Sequence, residues 1–248
     1  MSKSVSRFST KIIAEIITFV ALSTALSYIK VFSLPQGGSV TAGSMVPVIW
    51  LSLRRGSKIG LFACTVYGLV QLAVEPFIYY PAQVLLDYPI AFGALGLAGF
   101  FKNRPIIRWR IPIAVDILVA LLLSASSFIF SLYELTLYAL IEALFFLLLF
   151  AFAFLLLVWL LTTKRRREPK ETVSRAAPAL IGAVVGITGR FVVHFISGVV
   201  FFGQYAPEGM SPIVYSALYN GGYMVPELLV SAYLIYLIAK SGLLRIYE

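Results

Sequence analysis

The chain has 248 residues, of which 60% are hydrophobic and 12% charged, with a mean hydropathy of +0.93. Soluble domains are about 45–50% apolar and about 25% charged, so the composition excludes a soluble globular protein and is far too apolar for disorder. A single cysteine, Cys64, excludes a disulfide scaffold. What remains is an all-α polytopic membrane helix bundle, with residues 1–248 forming one integral membrane domain.

Taken in chain order, hydropathy predicts eight membrane segments at about 11–31, 39–53, 58–75, 83–101, 111–131, 134–163, 177–202 and 212–240. The second is short and carries Gly38, Gly43 and Pro47. An interrupted segment of that kind lines a cavity more readily than it faces lipid. The first segment has Ala21 and Ala25 at i and i+4, with Ser23 and Ser27 beside them. Small residues at that spacing permit close helix approach, within the chain or from another subunit. Gly93, Gly96 and Gly99 in the fourth segment, and Gly182, Gly186 and Gly189 in the seventh, predict tight internal packing.

The net charge of +9 does not mark a nucleic-acid surface. With eight spans, the basic residues before segment one, between two and three, after four, after six and at the chain end all fall on one side, and only Lys30 and Arg190 are left out. By the positive-inside rule that side is the cytoplasm, with both termini on it. The KRRR run at 164–167 then reads as a solvated loop facing lipid headgroups. The opposite side holds FSLPQGGS (32–39), EPFIYYPAQ (75–83), SLYE (131–134) and FFGQYAPEGMSP (201–212), rich in aromatic, Gly and Pro residues. These stretches read as an interfacial aromatic belt, as the mouth of an outward pocket, or as both.

Ionisable groups within spans are costly and are functional candidates by default: Glu15, Asp87, Asp116, Glu142, Arg190, His194 and Glu227. At 1.5 Å per residue, Asp87, His194, Tyr215 and Asn220 reach a similar depth on three helices, flanked by Phe77, Tyr88 and Phe202. That set suits a small, flat, cationic or hydrogen-bonding ligand. The alternative is that each polar group only ties helices together, and that reading is preferred for Arg190, as partner of a buried carboxylate, and for Asp116 and Glu142; Glu15, near the inner face, is expected to snorkel. No HExxH, CxxC, P-loop or GxSxG motif occurs, and one His with one Cys cannot assemble a His/Cys metal site, so neither a catalytic residue nor a metal site is assigned.

The stretches LPQGGSVTAGSMVPVIWLSLRRGSKIGL (34–61), YPAQVLLDYPIAFGALGLAG (80–99) and GRFVVHFISGVVFFGQYAPEGMSPIVYSALYNGGYMVPE (189–227) resemble the thiamin-specific substrate-binding (S) subunits of energy-coupling factor (ECF) vitamin transporters. The resemblance covers 10–103 and 176–240. It implies a six-helix S-component core that binds thiamin (vitamin B1) from outside and docks on a transmembrane coupling subunit with two separate ATPase subunits, in the cell membrane, with no cofactor. By motif, Asp87, Tyr88, His194, Gly198, Tyr215 and Asn220 take the places of ligand contacts. Phe202 and Phe77 fall where members carry Trp and Tyr, and Leu34, Pro35, Gln36, Gly37, Gly38 and Ser39 would form the lid. Ala21 and Ala25 would be the partner-docking pair. The chain departs from the pattern in having Asp for Glu at 87, Phe for Trp at 202, and an inserted pair of transmembrane helices at 104–175. An S component for a thiamin precursor or another vitamin is therefore a second expectation, and a non-transport membrane enzyme or scaffold a third.

Overall fold

The computed structural model describes residues 9–102, 173–241 and 243. The segments expected at 111–131 and 134–163, with Asp116, Glu142 and the 164–167 run, lie outside them. The described part forms one compact unit. It consists of α1 (Thr10–Ser27), β1 (Lys30–Ser33), β2 (Ser39–Thr41), α2 (Val46–Arg55), α3 (Ser57–Val74), a composite helix α4 (Pro81–Phe101), α5 (Val173–Phe201) and α6 (Pro212–Lys240). Among the described residues, five helical stretches are long and apolar enough to cross a membrane: α1, α3, α4, the Ala176–Phe201 part of α5, and α6.

The expected segment 39–53 is corrected by the structure. Its first residues are the strand β2, which pairs antiparallel with β1, so the described residues are mostly helical and not purely so. The LPQGG stretch turns the hairpin: Leu34 N donates to Gly38 O at 2.6 Å and Gly37 N to Leu34 O at 3.2 Å, with Gly37 at φ 93°, a backbone region open to glycine. The helix that follows is only ten residues long, with Pro47 in its first turn and Gly56 ending it at φ 93°. It nonetheless brings the chain back beside the start of α1. Glu15 accepts from Arg55 Nε at 2.6 Å, Arg55 Nη2 at 2.5 Å and Arg54 Nη2 at 3.2 Å. Glu15 is therefore held in an ion cluster between α1 and α2 and does not snorkel alone.

Small residues let the inner helices touch. A Cβ on Gly96 would lie 2.3 Å from Leu61 N, and one on Gly99 2.4 Å from Ser57 N, so α3 and α4 meet backbone to backbone. Gly182 and Gly186 of α5 do the same against Ala98 and Leu95 of α4. α1 buries Ser23 and Ser27 and leaves Ala21 and Ala25 exposed.

α4 is not uniform. A first α-turn (Pro81–Leu85) opens into a π-turn (Leu86–Ile90), returns to α (Ala91–Ala94) and tightens to 3-10 (Leu95–Phe101). Pro89 lies inside the π-turn. It has no N–H to give to the preceding turn, and widening the helix there accommodates the ring. Such π-bulges are frequent at functional sites; this one carries Asp87 and Tyr88.

Candidate ligand-binding site

A cavity opens between the hairpin turn, the C-terminal part of α3, the N-terminal half of α4, and facing turns of α5 and α6. All eight positions named from the sequence line it: Phe77, Asp87, Tyr88, His194, Gly198, Phe202, Tyr215 and Asn220. Of the expected lid, Gln36, Gly37, Gly38 and Ser39 line it, while Leu34 and Pro35 do not.

Asp87 is the centre of the polar wall. Gln83, one turn earlier and buried, donates through Nε2 to Asp87 Oδ2 at 2.6 Å. His194 Nδ1 lies within hydrogen-bond distance of Oδ1, at 3.1 Å. Gln83 is itself fixed, since Nε2 also donates to Phe77 O at 3.1 Å and Oε1 accepts from Tyr79 N at 3.2 Å. A carboxylate offers about four acceptor sites, so Asp87 keeps capacity for a ligand. Tyr88 instead shapes the segment between α3 and α4, where its hydroxyl accepts from Phe77 N at 2.7 Å and donates to Glu75 O at 2.8 Å.

Arg190 and His194 are one turn apart on α5, and so share a face. Arg190 Nε donates to His194 Nε2 at 3.2 Å, and its guanidinium carbon lies 4.0 Å from the centre of the Phe92 ring. Among the described residues Arg190 makes no direct ion pair with a carboxylate: its hydrogen bond goes to the imidazole and its guanidinium rests on an aromatic face, while its charge also acts on buried Glu227, a carboxylate of the kind the sequence led one to expect.

α6 supplies the third wall at helical spacing. Tyr215, Tyr219 and Tyr223 meet in sequence, the first pair tilted and the second edge-on, with ring centres 5.9 and 6.2 Å apart. Tyr223 OH donates to Asn220 Oδ1 at 3.0 Å, and Asn220 Nδ2 donates to Ser216 O at 3.0 Å and His194 O at 3.3 Å. Gly198 is needed for this contact: a Cβ there would lie 2.2 Å from Ser216 Oγ and 3.0 Å from Asn220 Nδ2.

The hairpin turn is tied to the same helix. Tyr219 OH accepts from Gln36 N at 3.0 Å and Gly38 N at 3.4 Å, and a Cβ on Gly38 would strike the Tyr223 ring at 2.6 Å. Deeper, Glu227 Oε1 accepts from both Thr41 N and Thr41 Oγ1 at 2.6 Å, anchoring β2. Lys30 of β1 pairs with Glu75. At the mouth, the Phe202 ring meets Tyr79 edge-on with centres 5.3 Å apart.

Sequence reasoning missed Gln83, Tyr219 and Tyr223 and gave Glu227 no role. The i, i+4 spacing of Gln83 with Asp87 and the Tyr215–Tyr219–Tyr223 ladder were available signals.

The family described as thiamine transporter protein (Thia_YuaJ) matches residues 13–133 and 125–245. The chain belongs to this family. It is 29% identical over 212 residues to the thiamine transporter ThiT of Bacillus subtilis, covering 85% of this chain and 79% of that protein. It is 26% identical over 219 residues to the thiamine transporter ThiT of Lacticaseibacillus paracasei, covering 85% and 78%. The solved structure of ThiT from Listeria monocytogenes shares the fold at a TM-score of 0.60, with 21% identity and 94% of each chain covered. Membership in this family, with five long apolar helices, makes the chain a multi-pass cell-membrane protein.

Proposed function

We propose that this protein is the substrate-binding membrane subunit of an ECF-type transporter and captures thiamin from outside the cell. The observation that carries the reading is Asp87: a half-buried carboxylate, fixed by Gln83 and His194 with acceptor capacity left over, in a cavity walled by aromatic rings. A fixed negative charge attracts a cation, aromatic faces add to that attraction, and the amide and phenol groups of Asn220 and Tyr215 orient a polar heterocycle. Thiamin carries a cationic ring and a hydrogen-bonding aminopyrimidine, and both named relatives are thiamine transporters. The hairpin turn closes over the ligand, with Tyr219 and Tyr223 as its seat.

The protein is a transporter subunit and not an enzyme; ATP hydrolysis belongs to two separate ATPases acting through a transmembrane coupling subunit. Ala21 and Ala25, on the exposed face of α1, are the proposed contact for that coupling subunit. The hairpin and α2 return the chain to the side of Glu15. Counting that return as one crossing, and two more in the inserted pair at 104–175, gives eight spans around a 10–103 and 176–240 core with both termini cytoplasmic.

Calorimetric titration of the purified protein with thiamin tests the reading. Saturable binding at micromolar thiamin is expected, and no heat with no thermal shift would end it. The shorter Asp87 side chain and the smaller Phe202 ring favour one second reading, a thiamin precursor as ligand. Competition by the hydroxymethylpyrimidine half alone separates the two.

A further inference from the structure

We propose that Arg190 is a positioning residue that locks His194 as the neutral imidazole protonated at Nδ1, and thereby keeps the Asp87 charge available to the ligand. Donors and acceptors decide where the proton sits. The guanidinium has five N–H donors, no acceptor, and does not lose its proton in proteins. Its Nε lies 3.2 Å from His194 Nε2 and donates to it, so Nε2 must present its lone pair. The proton of a neutral imidazole then resides on Nδ1, where Asp87 Oδ1 is 3.1 Å away to receive it. Which ring nitrogen is protonated is set by the bond the other makes, and here both bonds demand the same answer.

Arg190 is itself fixed. Its guanidinium lies 4.0 Å from the Phe92 ring centre, and Phe92 is held edge-on by buried Tyr67 of α3 at 5.1 Å. Protonating Nε2 would set two N–H groups and two positive charges against each other. The titratable and charged groups that meet this imidazole are Asp87 on α4, Arg190 on α5 itself and Tyr223 on α6; Glu227 of α6 lines the same cavity, and Tyr67 lies behind Phe92. Without Arg190, His194 is free to take a second proton, become an imidazolium paired with Asp87, and cancel the charge that a cationic ligand needs.

The effect on affinity rests on the thiamin reading above; the tautomer does not, and the experiment separates them. The protein contains one histidine, so the full chain prepared in lipid nanodiscs without a histidine tag, and labelled with 15N-histidine, reports a single imidazole. Without ligand, the wild type is expected to show a protonated Nδ1 and a bare Nε2 from pH 8 down to pH 5.5. Arg190→Met is expected to let the ring titrate in that interval, and Arg190→Lys to restore part of the wild-type behaviour. Thiamin affinity should change less than about twofold over the same interval in the wild type and fall about fivefold or more towards pH 5.5 in Arg190→Met, the range in which a released imidazole charges. A wild-type proton on Nε2, an imidazolium at pH 7, or an Arg190→Met spectrum identical to wild type would overturn the proposal. The wild-type spectrum decides the tautomer even if the variant fails to fold. The expected tautomer in a protein that does not bind thiamin would sink the transport reading and leave the positioning role standing.

Discussion

Replacing Asp87 by Asn removes the charge and keeps the shape, which makes it the sharpest probe of the cavity. In the wild type the two carboxylate oxygens receive Gln83 Nε2 at 2.6 Å and His194 Nδ1 at 3.1 Å. An Asn offers one acceptor and must turn its own amide N–H toward the other donor. Gln83 cannot flip to relieve this without losing its bonds to Phe77 O and Tyr79 N. The ligand-free protein therefore loses about 1–3 kcal/mol for the unmet donor. The larger effect falls on a cationic ligand. Unit charges 4 Å apart at an effective dielectric of about 20 attract by about 4 kcal/mol. The Arg190 charge in the same cavity offsets part of that, leaving about 2–3 kcal/mol, or roughly 30- to 150-fold in affinity. Calorimetry with thiamin and with the uncharged hydroxymethylpyrimidine, on Asp87→Asn and wild type, separates charge from contact. Thiamin should lose far more than the pyrimidine does. Equal losses for the two ligands, or an unchanged thiamin affinity in a folded variant, would refute the reasoning.

Other substitutions test other parts. Gly198→Ala places a methyl 2.2 Å from Ser216 Oγ; displacing Ser216 and Asn220 should weaken thiamin binding by about 1–3 kcal/mol, read by the same titration. Tyr219→Phe removes the acceptor for the Gln36 and Gly38 amides. Thiamin dissociation measured by stopped flow should quicken about fivefold, equivalent to about 1 kcal/mol. Glu15→Ala leaves Arg54 and Arg55 without the carboxylate between α1 and α2. It should lower the thermal midpoint through a loss of about 1–3 kcal/mol, with thiamin affinity in the folded fraction unchanged.

The long helices were legible because each carries a run of apolar residues of membrane-spanning length, and the cavity was legible because Asp87, His194, Tyr215 and Asn220 are polar groups that a membrane tolerates only for a reason. The hairpin was not. Its strands are four and three residues long, too short for alternation to outweigh the apolar stretches on either side, although Gly37 and Gly38 between KVFS and SVT marked a turn. Glu227 was visible as a carboxylate within a span, but its partner Thr41 is 186 positions away, and no local pattern links them. Arg190 shows the opposite limit. Its i, i+4 relation to His194 was plain, yet charge alone favoured a carboxylate partner. The contact with Phe92 depends on how α4 and α5 pack, which one-dimensional spacing does not contain.

The π-turn of α4 has a consequence for how this protein can vary. One extra residue in a helical turn shifts angular phase, so the N-terminal turns that bear Gln83 and Asp87 and the C-terminal turns that bear Gly96 and Gly99 are not bound to one continuous face. The glycine seam is intolerant, since backbone meets backbone there. The N-terminal turn can be rewritten, lengthened by a methylene or given another polar group, while the seam keeps its own alignment. The widened turn thus acts as a mechanical joint between a scaffold that must stay constant and a cavity wall that can change.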